Sequence, residues 1–190
     1  MEKLLSQNEL EKLYNKEKKE IGVSGINEIL KEKRSTEATT KKRKSIFLSH
    51  SHLDKMIIPR IALLFDKVDC DIYIDWMDAD MPKVTDKFTA STIKDKILNC
   101  NKFLFLATFR GLQSKWCDWE LGVAYSLKKD IEIAVLPIQT KTGKWTGSEY
   151  LDLYAEMEFD ESDYEKMDSS KVKIKFTNDK IISLEEWLSD

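Results

Sequence analysis

Two short stretches carry side chains whose types and spacing suit chemistry on a sugar or nucleotide. In Ser114-Lys115-Trp116-Cys117-Asp118-Trp119-Glu120-Leu121 an acid follows a tryptophan by four residues, and on a helix that spacing puts both on one face. A carboxylate opposite an aromatic platform fits a substrate whose flat cationic ring departs from a sugar. That departure has the oxocarbenium character that glycosidases meet with acids. From the helix pattern alone, Glu120 reads equally as a surface residue pairing with Lys115 or Lys128. The second stretch, Ser49-His50-Ser51-His52-Leu53-Asp54, follows the apolar Ile46-Phe47-Leu48. Hydroxyls, imidazole and backbone amides converge there, where a strand becomes a loop, and such a place holds a ribose or a phosphate. Helix capping is the alternative, with Ser51 or His52 near an N-cap and Asp54 adding charge to a first turn. Ser49 and His50 make no triad by themselves, because no third orienting acid is identifiable.

A third set of acids begins at Asp75, which follows Ile72-Tyr73-Ile74, and continues with Asp78 and Asp80 in the loop beyond. Carboxylates at a strand end accept hydrogen bonds from ribose hydroxyls. The three acids lack the oxygen-ligand pattern and the glycine of a calcium loop, so no metal is assigned.

The elements that must position these groups are legible from residue 45 onward, where short apolar runs alternate with helical patterns. Strands are expected over 45–49, 71–75, 103–107 and 131–136, and helices over about 53–67, 86–98 and 115–128, with an irregular segment over 76–85. That rhythm predicts an α/β fold with a mostly parallel central sheet and helices on both faces. Ligands then bind outside the carboxyl ends of the strands, at residues 49–54, 75–85 and 108–120. In the 115–128 helix, Leu121, Ala124 and Leu127 would cover the core side. Past 139, a turn-rich loop over 141–147 precedes a short helix expected over 150–156. Val172-Lys173-Ile174-Lys175-Phe176 alternates as an edge strand should, and a final short helix contains Trp187 and Leu188.

Residues 1–34 place leucines and isoleucines among charges and read as one or two amphipathic helices broken near Gly22–Gly25. They would cap the domain or meet a partner. Ser35 to Lys44 is a polar linker ending in four consecutive cations. The expected organisation is a helical extension and basic linker over 1–43, the α/β domain over 44–165, and a C-terminal extension packed on it over 166–190.

The chain has 190 residues, 42% of them hydrophobic, enough for one substantial core. With 31 basic and 34 acidic side chains the net charge is -3, and nothing overall draws it to nucleic acid or anionic lipid. The first 44 residues carry 12 basic and 8 acidic side chains. Their basic run is read as a solvated hinge, with a nucleic-acid or membrane contact as the alternative. No secretory h-region or 18-residue apolar stretch is present, and Cys70, Cys100 and Cys117 form neither a disulfide set nor a metal cluster. A soluble cytoplasmic protein in a reducing compartment is expected.

Over about residues 44–165 the chain resembles a Toll/interleukin-1 receptor (TIR) domain, and within that family a bacterial stand-alone member of the kind found in Thoeris antiphage defence. Two motifs carry the resemblance: Ile46-Phe47-Leu48-Ser49-His50-Ser51-His52-Leu53-Asp54, like the family's opening box, and Ser114 to Leu121, like its S-x-W-C-x-x-E-L helix start. Tyr73-Ile74-Asp75 and Ala134-Val135-Leu136-Pro137-Ile138 resemble the second strand and a late strand. The resemblance implies a flavodoxin-like three-layer sandwich and cleavage of NAD as substrate, with no separate cofactor. Glu120 would be catalytic, Trp116 would line the nicotinamide pocket, and Phe47, Ser49, His50, Ser51, Asp75 and Asp80 would bind substrate. The loop Trp76 to Lys83 has the family's proline but lacks its arginine and glycine; the catalytic assignment does not depend on that arginine.

Bacterial relatives in that family often hydrolyse NAD or cyclise its ADP-ribose part into a signal for a separate effector, while receptor and adaptor members assemble and many are not enzymes. Residues 1–34 are too short for a toxic or sensor domain, which favours a signal-producing protein, with self-association on activation. A non-enzymatic scaffold acting through self-association is the competing reading. A phosphoryl receiver with Asp75 as acceptor is disfavoured, because the 131–136 strand ends without the required lysine.

Overall fold

The structure, a computed structural model, describes residues 4–32, 45–75, 87–145, 147–159 and 168–189. The loop containing Asp78, Asp80 and Pro82 lies outside the described residues, as do the basic linker and the segment 160–167. The chain runs through β1 (Leu5–Ser6), α1 (Gln7–Glu20), α2 (Gly22–Glu32), β2 (Ser45–Ser49), α3 (Ile58–Lys67), β3 (Asp71–Tyr73) and α4 (Lys87–Asn99). It continues through β4 (Lys102–Ala107), α5 (Lys115–Leu127), β5 (Ile133–Gln139), β6 (Ala155–Phe159), β7 (Val172–Lys175), β8 (Ile181–Ser183) and α6 (Leu184–Ser189).

The sheet order is β3-β2-β4-β5-β6-β7-β8, with β1 pairing to β5 off that path. Strands β2 to β6 run parallel, and β7 and β8 turn antiparallel. Counted from β2, the parallel strands lie second, first, third, fourth, fifth, the flavodoxin-like order.

Strand side chains alternate between two apolar layers, as the period of two requires. Ile46, Leu48, Ile72, Leu104, Leu106, Ala134 and Leu136 pack with Leu10 and Leu13 of α1, with α3 and with Trp187 of α6. Phe47, Tyr73, Phe103, Phe105, Ile133 and Val135 pack on the opposite face with Ile93 and Ile97 of α4 and Cys117, Leu121 and Ala124 of α5. The fold is the expected three-layer sandwich.

Several elements differ from the sequence expectation. Helix α3 begins at Ile58, five residues later than expected. Residues His52–Asp54 form a separate 3-10 turn capped by Ser51, and Pro59 sits in the first turn of α3, where a missing N–H costs nothing. Strand β3 stops at Tyr73, short of Asp75. Strand β5 runs from Ile133 to Gln139, later than expected, because residues 130–132 form a 3-10 turn.

The helix expected over 150–156 is instead a 3-10 segment, Glu149–Leu153, followed by β6. Ala155, Met157 and Phe159 are buried between half-buried Glu156 and Glu158, the alternation of a strand. Val172–Lys175 is not an edge strand, because β8 pairs with it on the side away from β6.

The N-terminal pair of helices breaks where expected: Gly22 has φ +72°, in the left-handed region open to glycine. Helix α1 starts with a reciprocal capping box, the Glu9 backbone N–H donating to Ser6 Oγ and the Ser6 N–H to Glu9 Oε2. Its buried Leu10 and Leu13 join the core on the α3 face. Leu4 and Leu5, read as helical from sequence, precede the helix, and Leu5 pairs with Ile138 in the sheet.

At the other end of the chain, Trp187 is wholly buried, donates its indole N–H to the Ile131 carbonyl at 2.7 Å, and lies under the buried Lys102 ammonium, 5.5 Å from the ring centroid. Trp187→Ala is expected to destabilise the fold by about 3–5 kcal/mol. A urea melt followed by circular dichroism checks this; an unchanged midpoint would show that α6 adds nothing to the core.

Candidate functional site

The order of the strands reverses between β2 and β4, and in an open parallel sheet that reversal opens a crevice at the carboxyl ends. Ser49 is the last residue of β2, and its neighbour across the ladder is Phe105 of β4. Helix α5 returns over the same end. Its N-terminus is fixed by Ser114, whose Oγ accepts from the Cys117 N–H at 3.3 Å. Its outer side is tied to the 149–153 segment by Tyr150, whose hydroxyl donates to Asp118 Oδ1 at 2.9 Å.

These two elements bring Glu120 against Ser49, 71 residues earlier, with Ser49 Oγ donating to Glu120 Oε2 at 2.5 Å. Both are buried, Glu120 at 2% exposure and Ser49 at 1%. That overturns the surface alternative in which Glu120 pairs with Lys115 or Lys128. Burial pushes the Glu120 carboxyl up from 4.5 to about 8; the Asp75 charge adds to the rise, while hydrogen bonding from Ser49 and Trp116 opposes it.

His50 and Asp75 complete the cluster. His50 Nδ1 lies 2.9 Å from the Leu48 carbonyl, and Nε2 faces Asp75 Oδ1 at 3.5 Å. The imidazole is buried, whereas the Asp75 side chain is 26% exposed. Trp116, half-buried, stacks on Trp119 with centroids 4.8 Å apart. Cys117 lies beneath the carboxylates. Burial pushes its thiol up to about 12, with Glu120 and Asp75 adding to the rise against hydrogen bonding from Ser114 and Ser49. The thiol stays protonated and is no nucleophile.

The structure therefore brings Ser49, His50, Asp75, Trp116 and Glu120 together. Phe47 is placed differently: at 1% exposure it stacks on Tyr73 and Phe103 in the core, one layer beneath Ser49. Ser51 is buried and caps the 3-10 turn, accepting from the Leu53 N–H at 3.3 Å. Asp80 lies outside the described residues.

Asp54 falls in the first turn after the Ser51 cap, as the capping alternative has it, and its side chain is buried there. Its buried carboxylate accepts from Thr108 Oγ1 at 2.5 Å, and Thr108 Oγ1 accepts in turn from the Gly111 N–H at 2.8 Å. Burial raises the Asp54 carboxyl, with the Thr108 bond, Arg110 and His50 opposing. Arg110 also donates to the Leu53 carbonyl. A Cβ on Gly111 would sit 2.5 Å from the Leu106 carbonyl oxygen, so this turn admits only glycine. The clasp joins the loop after β2 to the loop after β4, and sequence reasoning missed Thr108 and Gly111. Their one signal is position, at the carboxyl end of a buried strand.

Neither of two nearby hollows contains this cluster. One of about 670 Å³ opens between β5 and β7 beside Trp145 and Tyr154; another of about 280 Å³ is lined by Phe109, Leu112, Ile138 and Trp145. The Glu120 cluster is singled out by its chemistry. Among the described residues no group of three or more His, Cys, Asp or Glu side chains could hold a metal ion, and no helix is long and apolar enough to cross a membrane.

Strand order and site together define a doubly wound α/β protein with polar groups gathered at its topological switch point. Residues 46–167 match the TIR domain, and the chain belongs to that family. It is 32% identical over 114 residues to the probable 3′ cyclic ADP-D-ribose synthase ThsB′ of Bacillus cereus (strain MSX-D12), a match covering 57% of this chain and 58% of that protein. It is 31% identical over 107 residues to the putative cyclic ADP-D-ribose synthase TIR2 of Cytobacillus dafuensis, covering 55% of this chain and 28% of that one. The chain thus spans little more than half of the first relative and under a third of the second.

A carboxyl whose folded value is raised stabilises the fold fully below its unfolded value and loses that contribution as pH climbs through the folded value. For Glu120 the window runs from 4.5 to about 8. Glu120→Gln keeps a partner for Ser49 and removes the titration. It is expected to melt roughly 3–6 °C higher than wild type at pH 8 and to differ little at pH 4.5. Differential scanning calorimetry across this range checks it; parallel pH profiles would refute the buried, raised carboxyl.

Proposed function

We propose that this protein cleaves NAD, releasing nicotinamide and hydrolysing or cyclising the ADP-ribose that remains. The observation that carries this reading is the Glu120 carboxyl, buried and held at 2.5 Å by Ser49 beside the Trp116 ring. NAD is the substrate, and no resident cofactor is required. The names of the two similar proteins support the same chemistry.

A carboxyl at about 8 is largely neutral in the empty site near pH 7. A nicotinamide ring brings a positive charge to this water-poor place, and the ionised carboxylate then gains a partner. Glu120 accepts hydrogen bonds from the hydroxyls of the ribose and faces the positive charge that grows at its anomeric carbon as the C–N bond lengthens. Preorganised charge of this kind is strongest where water is excluded. Trp116 supplies a flat surface for the ring, and Ser49 fixes the carboxylate. The bond breaks with its electron pair going to the ring nitrogen, and neutral nicotinamide leaves. The anomeric carbon is then taken by water or by a nucleophile within the same molecule.

The setting we propose is cytoplasmic, in antiphage defence, with the nucleotide product read by a separate effector protein and activity accompanied by self-association. Leu53, Met56 and Phe109 are exposed apolar side chains on the loops after β2 and β4, where a second copy has something to bury.

Purified wild type, incubated with NAD over a range of protein concentrations, is expected to release nicotinamide, with products identified by mass spectrometry. Glu120→Ala and Glu120→Gln are expected to lose about 100-fold or more in turnover. Because the ionised form acts, kcat/KM for wild type should rise with pH through a midpoint near 8. Undiminished cleavage by folded Glu120→Gln would refute the assignment.

A further inference from the structure

The cluster holds a second carboxylate that the cleavage step does not use. Asp75 acts electrostatically on both Glu120 and Cys117. The two acids differ in setting: Glu120 is sealed in, while the Asp75 side chain is 26% exposed at the solvent side of the cluster. A more exposed carboxylate beside a buried one can take a proton from a nucleophile and pass it to solvent.

His50 fixes how Asp75 is presented. A backbone carbonyl only accepts, so His50 Nδ1, 2.9 Å from the Leu48 oxygen, must carry its proton. Nε2 is then the one ring nitrogen left for Asp75, and among the described residues it faces no hydrogen-bond partner besides the carboxylate oxygen at 3.5 Å. A donor at the Nε2 position would hold Oδ1 in place. With its side chain 2% exposed against 26% for Asp75, His50 meets the solvent side of the cluster through Asp75.

We propose that Asp75 is the catalytic base for the second half of the reaction and that His50 is its positioning residue. This rests on the NAD-cleaving reading. After nicotinamide leaves, an oxygen nucleophile, water or a ribose hydroxyl of the same nucleotide, must lose a proton as its C–O bond forms at the anomeric carbon. The oxygen lone pair makes the bond, the O–H proton passes to the Asp75 carboxylate, and from there to solvent. NAD thus gives nicotinamide, a proton and either ADP-ribose or its cyclic form, with nothing oxidised or reduced.

A nucleophile with no proton to lose bypasses the base, and this separates the role from substrate binding. The intact chain is assayed with NAD alone, and with NAD plus 3-acetylpyridine, whose ring nitrogen attacks with a bare lone pair. Assayed at about pH 9, where Glu120 is ionised with or without the Asp75 charge, Asp75→Asn should lose about 100-fold in kcat for ADP-ribose or cyclic product with KM within about threefold, while exchange of 3-acetylpyridine into NAD stays within about threefold of wild type.

His50 gives an independent pair of variants. His50→Asn mimics only the Nδ1 donor and should behave like Asp75→Asn. His50→Gln places a donor where Nε2 stands and should retain product formation within about tenfold of wild type. Equal loss of exchange and product formation in Asp75→Asn, or no loss of either, overturns the proposal, as does indistinguishable behaviour of the Asn and Gln variants. Wild type that neither releases nicotinamide nor exchanges would overturn the NAD-cleaving reading and this inference with it. Wild type that cleaves while Asp75→Asn matches it in every assay would overturn the inference alone.

Discussion

A carboxyl group out of water is the constraint around which the rest of this structure is arranged. Glu120 sits at 2% exposure with Ser49 Oγ at 2.5 Å, and leaving such a group without partners would cost several kcal/mol. The Ser49 bond is therefore both a structural requirement and the element that sets the position of the acid. It spans 71 residues, so it forms only when the β2 strand end and the α5 helix start are both in place. The parallel ladder between β2 and β4 places the first, and the Ser114 cap places the second.

The same dependence extends to the supporting loops. Asp54, Thr108 and Gly111 close the loop after β2 onto the loop after β4 through buried hydrogen bonds. Behind them, Phe47 stacks between Tyr73 and Phe103 at 5.5 and 5.6 Å, fixing β2 laterally. A one-residue slip in β2 would exchange its two faces, sending Phe47 toward the α3 layer and taking Ser49 away from Glu120. Burial of the aromatic core and placement of the acid are thus one event, which is why a small, rigid set of side chains can hold a carboxyl so far from its ordinary ionisation.

Much of this was legible in the residues. The apolar runs from 45 onward named β2 to β5 and the helices between them, and the Trp116–Glu120 spacing with the Ser49-His50 turn pointed to the two halves of the site. Long-range pairing was not legible. Nothing local to Glu120 says that its partner is Ser49, and Asp54 reads as an ordinary first-turn acid until Thr108 is seen beside it. The miss at β6 has a different cause: Tyr150-Leu151 fits a helix turn, and that pattern masked the alternation from Ala155 to Phe159. The edge assignment of Val172–Lys175 failed because a strand's own pattern does not report whether another strand pairs beyond it.

The most direct test of the account is the ionisation of Glu120 itself. Carbon-13 labelling of glutamate side chains, with the Glu120 carboxyl signal assigned by its disappearance in Glu120→Gln, gives its titration by NMR in the protein without substrate. The structure predicts a midpoint near 8, moving downward when a cationic nicotinamide analogue is bound. A midpoint near 4.5, unmoved by the analogue, would mean that the carboxyl is solvated, and the buried acid could not be the centre of this site.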